Sequence, residues 1–208
     1  MVMKCMIEFK KDKYGFWRQS NPERFSYDES YKSNQRTTPE MSWCRLGFLA
    51  SKISPDKMKY WKVCDIGSGN GVFANEASRF FKEGVKEYDL SGNSISKEEL
   101  EITEWDLIFL TDVLEHFEDI DDLFKIHFRY AFISFPETPE VNDFHELQSW
   151  RHFKPNEHIY CLNLKGMIKW LNSHSYMSIM YGNPEDMIRA SSDGRVNIST
   201  IIASRIRS

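Results

Sequence analysis

Val63-Cys64-Asp65-Ile66-Gly67-Ser68-Gly69-Asn70-Gly71 carries an apolar segment straight into a glycine-rich turn, and this stretch decides the fold. An apolar run that stops at such a turn reads as a buried strand whose carboxyl end faces a ligand. Without Cβ atoms, Gly67, Gly69 and Gly71 let bare backbone come within contact distance of whatever lies above the strand. A dinucleotide-binding turn would place its third glycine at position 72, which is Val72 here, and would turn a helix N-terminus toward a pyrophosphate. Asp65, two places before the first glycine, instead suits a ligand that carries an ammonium.

Four landmarks follow in order: Asp65-x-Gly67-x-Gly69-x-Gly71, Glu87-Tyr88-Asp89, Trp105-Asp106-Leu107-Ile108 leading to Glu115-His116, and Phe132-Ile133-Ser134-Phe135-Pro136. In this order they resemble the class I S-adenosylmethionine-dependent methyltransferases over roughly residues 60 to 205. The resemblance implies an α/β fold with a doubly wound, mostly parallel sheet and a C-terminal antiparallel hairpin, the Rossmann-like methyltransferase fold. It also implies S-adenosyl-L-methionine as cofactor, held by Asp65, Gly67, Ser68, Gly69 and Gly71, by Asp89 and Leu90 closing the second strand, and by Thr111 and Asp112. A carboxylate such as Asp89 can accept one hydrogen bond from each hydroxyl of a ribose.

The alternation of strand and helix signals from residue 60 onward fits that fold on its own terms. Thr37-Thr38-Pro39-Glu40 is a capping signal, followed by Trp43, Leu46, Leu49 and Ile53 at helical spacing until Ser54-Pro55, which predicts a helix over about 39 to 53. Strand two spans Val85 to Asp89, a buried strand covers Leu107 to Leu110, and a helix begins at Asp119 or Asp121. Another strand runs from Tyr130 to Phe135. Leu164, Met167, Ile168 and Leu171 define a later helix, and Tyr176 to Tyr181 with Asn197 to Ser204 form the closing antiparallel pair. Residues 90 to 104 must serve where relatives fit a helix, a strand and a short helix. A helix needs about ten residues and a strand about five, so the third strand is expected to be reduced or missing.

The 208 residues suit one domain with an attachment. Residues 1–59 are expected to form an aromatic and basic arm plus a helix that caps the active site, and 60–208 the cofactor-binding core, with a substrate-capping insertion at 137–160. The net charge of −4 hides an asymmetry, because residues 1 to 62 carry 13 Lys and Arg against 7 Asp and Glu, and the rest 14 against 24. Aromatics interleave with the basic residues, a mixture suited to a ring beside a phosphate and equally to docking on an acidic core. No apolar stretch reaches the length of a signal peptide core or a membrane span, so a cytoplasmic location without membrane contact is expected. Cys5, Cys44, Cys64 and Cys161 lack metal-ligand or disulfide spacing and read as buried thiols.

Absent motifs narrow the chemistry. After Leu110 comes Thr111-Asp112-Val113-Leu114-Glu115, without the Asp- or Asn-Pro-Pro-aromatic clamp of exocyclic-amine methyltransferases, and no Pro-Cys nucleophile is present. The segment Ser149 to Tyr160 resembles the active-site stretch of sugar methyltransferases acting on nucleotide-linked sugars. That resemblance implies His158 as proton acceptor, Glu157 as its partner and Tyr160 beside the acceptor, with His145 and His152 in the same crowded stretch. Tyr27 and Tyr31 are candidates to face the sulfonium, and Arg36 or Arg45 to hold an acceptor anion. Asp112, Glu115 and His116 would share a helix face and resemble the acid-x-x-Glu-His pattern of ubiquinone-type O-methyltransferases, where it accompanies a divalent ion. Helix capping and hydrogen bonds at the cofactor edge explain them as well, and no metal is expected. The expected reaction is methyl transfer to an O, N or C atom of a small, anionic acceptor such as a nucleotide-sugar or glycan. A nucleic-acid or modified-nucleotide methyltransferase and a catalytically inert methyltransferase-like binding subunit are the alternatives.

Overall fold

The structure is a computed structural model that describes residues 7–23, 25, 37–90, 95–189, 194 and 196–206. Helix α1 (Pro39–Lys52) starts where the sequence predicts: the Thr38 hydroxyl accepts from the Met41 amide at 3.4 Å, and Pro39 fills the first turn without losing a bond. A short helix α2 (Pro55–Met58) leads into β3 (Val63–Ile66), the glycine turn and α3 (Val72–Ser78). Then come β4 (Lys86–Tyr88), α4 (Lys97–Ile102), β5 (Glu104–Thr111) and β6 (His127–Pro136). The chain closes through α5 (Phe144–Gln148), β7 (Tyr160–Cys161), α6 (Leu164–Ser173), β8 (Tyr176–Gly182), α7 (Asp186–Arg189) and β9 (Ile198–Arg205).

The central sheet has the strand order β4-β3-β5-β6-β9-β8. Pairing is parallel from β4 to β6 and antiparallel at β6–β9 and β9–β8, so the C-terminal hairpin is present as expected. Among the described residues, no strand lies outside β4. Among the described residues the segment after it supplies only α4, capped by the Ser96 hydroxyl, and no third strand of the fold, in keeping with its length.

Period-two alternation sorts the strands between two cores. Cys64, Ile66, Ile108, Leu110 and Ile133 face a cluster containing Trp170 and Leu171 of α6. Val63, Leu107, Phe109 and Phe132 face Leu46 and Leu49 of α1 and Phe73 and Ala77 of α3. Asp65 lies two residues beyond Val63 and so belongs to the α1–α3 face.

Two differences from the sequence reading stand out. The segment beginning at Asp119 is a 3₁₀ helix (Ile120–Lys125), with Asp119 capping the Asp121 amide. The basic arm also contains a hairpin the sequence reading lacked: β1 (Phe9–Lys11) pairs with β2 (Trp17–Gln19), and β2 pairs with β7. Asp12 Oδ1 accepts the amides of Tyr14, Gly15 and Phe16 at 2.8–3.0 Å and holds the turn. This hairpin attaches to the 137–160 segment, for Lys11 Nζ donates to the Val141 carbonyl and the Gln19 amide to the Ile159 carbonyl. The arm's Tyr27, Tyr31 and Arg36 fall outside the described residues.

Candidate active site

The chain reverses its winding at β3, which has β4 on one side and β5 on the other, and ligands of open parallel sheets bind at the carboxyl ends around such a switch. Gly67, Gly69 and Gly71 all take positive φ values, of 73°, 56° and 73°. The Gly67 amide donates to the Tyr88 carbonyl at 2.7 Å, and the Gly69 amide to Asp89 Oδ2 at 3.0 Å. A side chain at Gly67 would overlap the methyls of Val113 in the loop after β5. The turn, Asp89 and the β5 loop are thus held against one another. Ser68 is buried beside them, and Leu90 is exposed directly after Asp89.

Asp65 is 1 % exposed, and neither of its carboxylate oxygens has a hydrogen-bond partner. Burial pushes its carboxyl up to about 8, against the pull of the Arg45 guanidinium. A buried carboxyl with both oxygens unsatisfied, next to three left-handed glycines, fits a ligand that brings an ammonium and asks for close backbone approach. The residues present therefore match the methionine end of S-adenosylmethionine.

Sequence reasoning missed most of the ionic wall beside this site. Arg45 of α1 is fully buried and bonds Glu185 twice, through Nε at 2.8 Å and an Nη at 3.1 Å. Arg189 bridges Glu185 and Asp112, each at 3.1 Å, so four residues form the chain Arg45–Glu185–Arg189–Asp112. Glu185 and Arg189 sit where the chain turns between β8 and β9. Asp112 itself has φ 56° and a buried Oδ1 without a partner, and Thr111 ends β5 just before it.

The acid-x-x-Glu-His constellation corrects itself in space. Residues 114–116 are a single 3₁₀ turn, and Asp112 is turned away to Arg189. The residue that joins Glu115 and His116 is His158, whose ring meets His116 edge-on at 4.8 Å. His158 Nδ1 bonds the His152 carbonyl at 2.9 Å, and His116 Nδ1 the Glu157 carbonyl at 2.8 Å. Burial, with help from His116, pushes His158 down to about 2. An imidazole held there takes up a proton poorly near neutral pH, so burial works against the expected role of His158 as proton acceptor. Glu157 does lie beside it, Oε1 to Nε2 at 3.7 Å, but is drawn toward Lys154 at 2.9 Å.

The remaining acceptor candidates separate. His152 Nε2 bonds Asn197 Oδ1 at 2.6 Å at the carboxyl edge of the sheet. His145 is exposed on α5. Tyr160 is 3 % exposed within the core cluster under Arg18, and burial pushes its phenol up to about 12, so packing accounts for its position. A broad cleft of about 1610 Å³ opens between the hairpin, residues 137–142 and α6; Lys11, Trp17, Trp150, Arg151, Lys165 and Lys169 line it. Glu137, Thr138 and Asn197 form its inner end, directly beyond the carboxyl end of β6.

Sheet order, glycine turn and acidic strand ends together define a class I methyltransferase built for S-adenosylmethionine. Residues 32–175 match the family described as "Methyltransferase domain", and the chain belongs to that family. Among solved structures it is similar to magnesium protoporphyrin IX methyltransferase from Synechocystis with bound S-adenosylhomocysteine, at 14 % identity and TM-score 0.52, covering 85 % of this chain and 92 % of that one. An S-adenosylmethionine-dependent methyltransferase from Mesorhizobium loti matches at 13 % and 0.55, covering 78 % and 98 %. A candidate RNA methyltransferase from Pyrococcus horikoshii matches at 12 % and 0.52, covering 90 % and 94 %. These likenesses share the fold alone. No curated protein matches the sequence. Among the described residues no helix is long and apolar enough to cross a membrane.

Proposed function

We propose that this methyltransferase acts on a small anionic acceptor, with a nucleotide-linked sugar or glycan as the class that fits best. The observation that carries this reading is the cleft beside the hairpin, which four basic side chains line together with Trp17 and Trp150, against Glu137, Glu140 and Glu146, and whose inner end lies at the sheet's carboxyl edge. Aromatic faces take a sugar or base ring, and the lysines and arginine take its phosphate or carboxylate.

S-adenosylmethionine supplies a methyl already activated by the sulfonium, so the acceptor atom bonds to that carbon as the carbon–sulfur bond breaks. The chain's own tasks are alignment and exclusion of water. Asp65 would take the ammonium, Asp89 the ribose, and the backbone of Gly67 to Gly71 the surface between. Since His158 is a weak base in this setting, the reading favours an acceptor whose nucleophilic atom is already ionised or is ionised by a neighbouring cation.

The test is methyl transfer from labelled S-adenosylmethionine to a panel of anionic and neutral sugars. Lys165→Glu with Lys169→Glu should raise KM for an anionic acceptor roughly tenfold or more with little change in kcat. Neutral acceptors turned over equally well, with no effect of the charge reversal, would defeat the anionic assignment. Transfer to RNA that weakens steeply with salt would favour a nucleic-acid acceptor instead.

A further inference from the structure

We infer that Glu115, His116 and His158 form a binding site for one divalent transition-metal ion. One ligand atom from each lies within 4.8 Å of the others, on two segments that the fold brings together from 42 residues apart in sequence, the turn after β5 and the end of the 137–160 insertion.

Two features point to a cation. First, Glu115 is 2 % exposed and neither carboxylate oxygen has a hydrogen-bond partner, an arrangement that costs free energy until something positive is supplied. Second, each histidine has Nδ1 against a backbone carbonyl, Glu157 for His116 and His152 for His158. A carbonyl only accepts, so both N–H groups sit at Nδ1 and both Nε2 atoms carry the lone pair, which is how metal-ligating histidines are oriented by their surroundings. The nearby Lys154 ammonium is neutralised by Glu157 at 2.9 Å.

Two imidazoles and one carboxylate suit zinc or ferrous iron better than magnesium, whose hard shell favours oxygen throughout. Three protein ligands leave at least one coordination position for water or an acceptor oxygen. The ion would lower the pKa of a hydroxyl placed there. Metal binding itself does not depend on the proposed acceptor, and its failure would leave the cofactor site and methyl transfer unaffected.

The experiment is titration of chelator-treated full-length protein with cobalt(II) chloride, followed by visible absorption, with zinc chloride as competitor. Wild type should take up one equivalent, displaced by zinc. Glu115→Gln and His158→Gln should each weaken binding by roughly 100-fold or more, while His127→Gln, on the exposed start of β6, should bind normally. S-adenosylhomocysteine binding by each variant reports whether it is folded. Should either variant fail that check, zinc-edge X-ray absorption of wild type decides, because two imidazole nitrogens and a carboxylate oxygen are expected and sulfur in the shell would implicate buried Cys161. No saturable uptake by wild type, equal uptake by folded ligand variants, or a sulfur ligand overturns the assignment.

Discussion

The Gly69 amide donates to Asp89 Oδ2 at 3.0 Å, so the turn after β3 and the acid after β4 are joined within the protein itself. Asp89 thereby braces the turn, and its proposed second task is to offer oxygen to a ribose. Asp89→Ala should weaken S-adenosylhomocysteine binding by about 1–3 kcal/mol, the range for losing charged hydrogen bonds. Asp89→Asn keeps one acceptor oxygen and should retain part of that affinity. Calorimetry on both variants checks this, and unchanged affinity in Asp89→Ala would remove Asp89 from the cofactor site.

Gly67→Ala tests the contact with the β5 loop. The new methyl meets Val113 and the backbone holds φ at 73°, two separate costs of order 1–3 kcal/mol each. Cofactor affinity should fall together with stability, because Val113 has to move. Adding Val113→Gly to Gly67→Ala should recover the packing part and leave the backbone part. Denaturant melts of the three proteins separate the two, and no recovery in the double variant would mean that the overlap is relieved elsewhere.

The Arg45–Glu185 pair is buried on both sides, so removing one partner strands the other. Glu185 also has Arg189 at 3.1 Å, whereas Glu185 is the hydrogen-bonding partner seen for Arg45. Glu185→Leu should therefore cost more than Arg45→Met, with the former near the 3–5 kcal/mol typical of a stranded buried charge. The double variant should be more stable than the sum of the singles implies. Additive losses in thermal unfolding would show that the pair is not coupled.

The elements that sequence reading located are those with a strong local cause. Thr38 and Pro39 announce α1 by capping chemistry, Leu164 to Leu171 announce α6 by period, and the missing third strand follows from counting residues between Asp89 and Trp105. The hairpin of Phe9–Lys11 and Trp17–Gln19 has three-residue strands, and β7 has two, too short for alternation to register. Glu185 lies 140 residues from Arg45, and His158 lies 42 from His116, so no local pattern could pair them. The left-handed glycine turn was legible because its glycines sit at fixed spacing on contiguous chain. The wall around them was not, because tertiary packing alone assembles it.

The proposed contact of Asp65 with the cofactor ammonium predicts pH-dependent binding with a definite sign. Burial raises its carboxyl from 3.8 to about 8 in the ligand-free protein, so below that pH it is protonated. A cofactor ammonium favours the ionised form, and binding must then release a proton. Affinity for S-adenosylhomocysteine should accordingly rise from pH 6 toward 8 by at most about tenfold per pH unit and level off above. Stability of the ligand-free protein should run the other way: between 3.8 and about 8 the folded state holds the extra proton, so this residue's contribution is lost as pH rises through that window. Asp65→Asn should flatten both dependences, stabilise the ligand-free protein at pH 8 and lower cofactor affinity there. Calorimetry in buffers of different ionisation enthalpy reads the released proton directly, and zero proton release at pH 7 in wild type would place the ammonium away from Asp65.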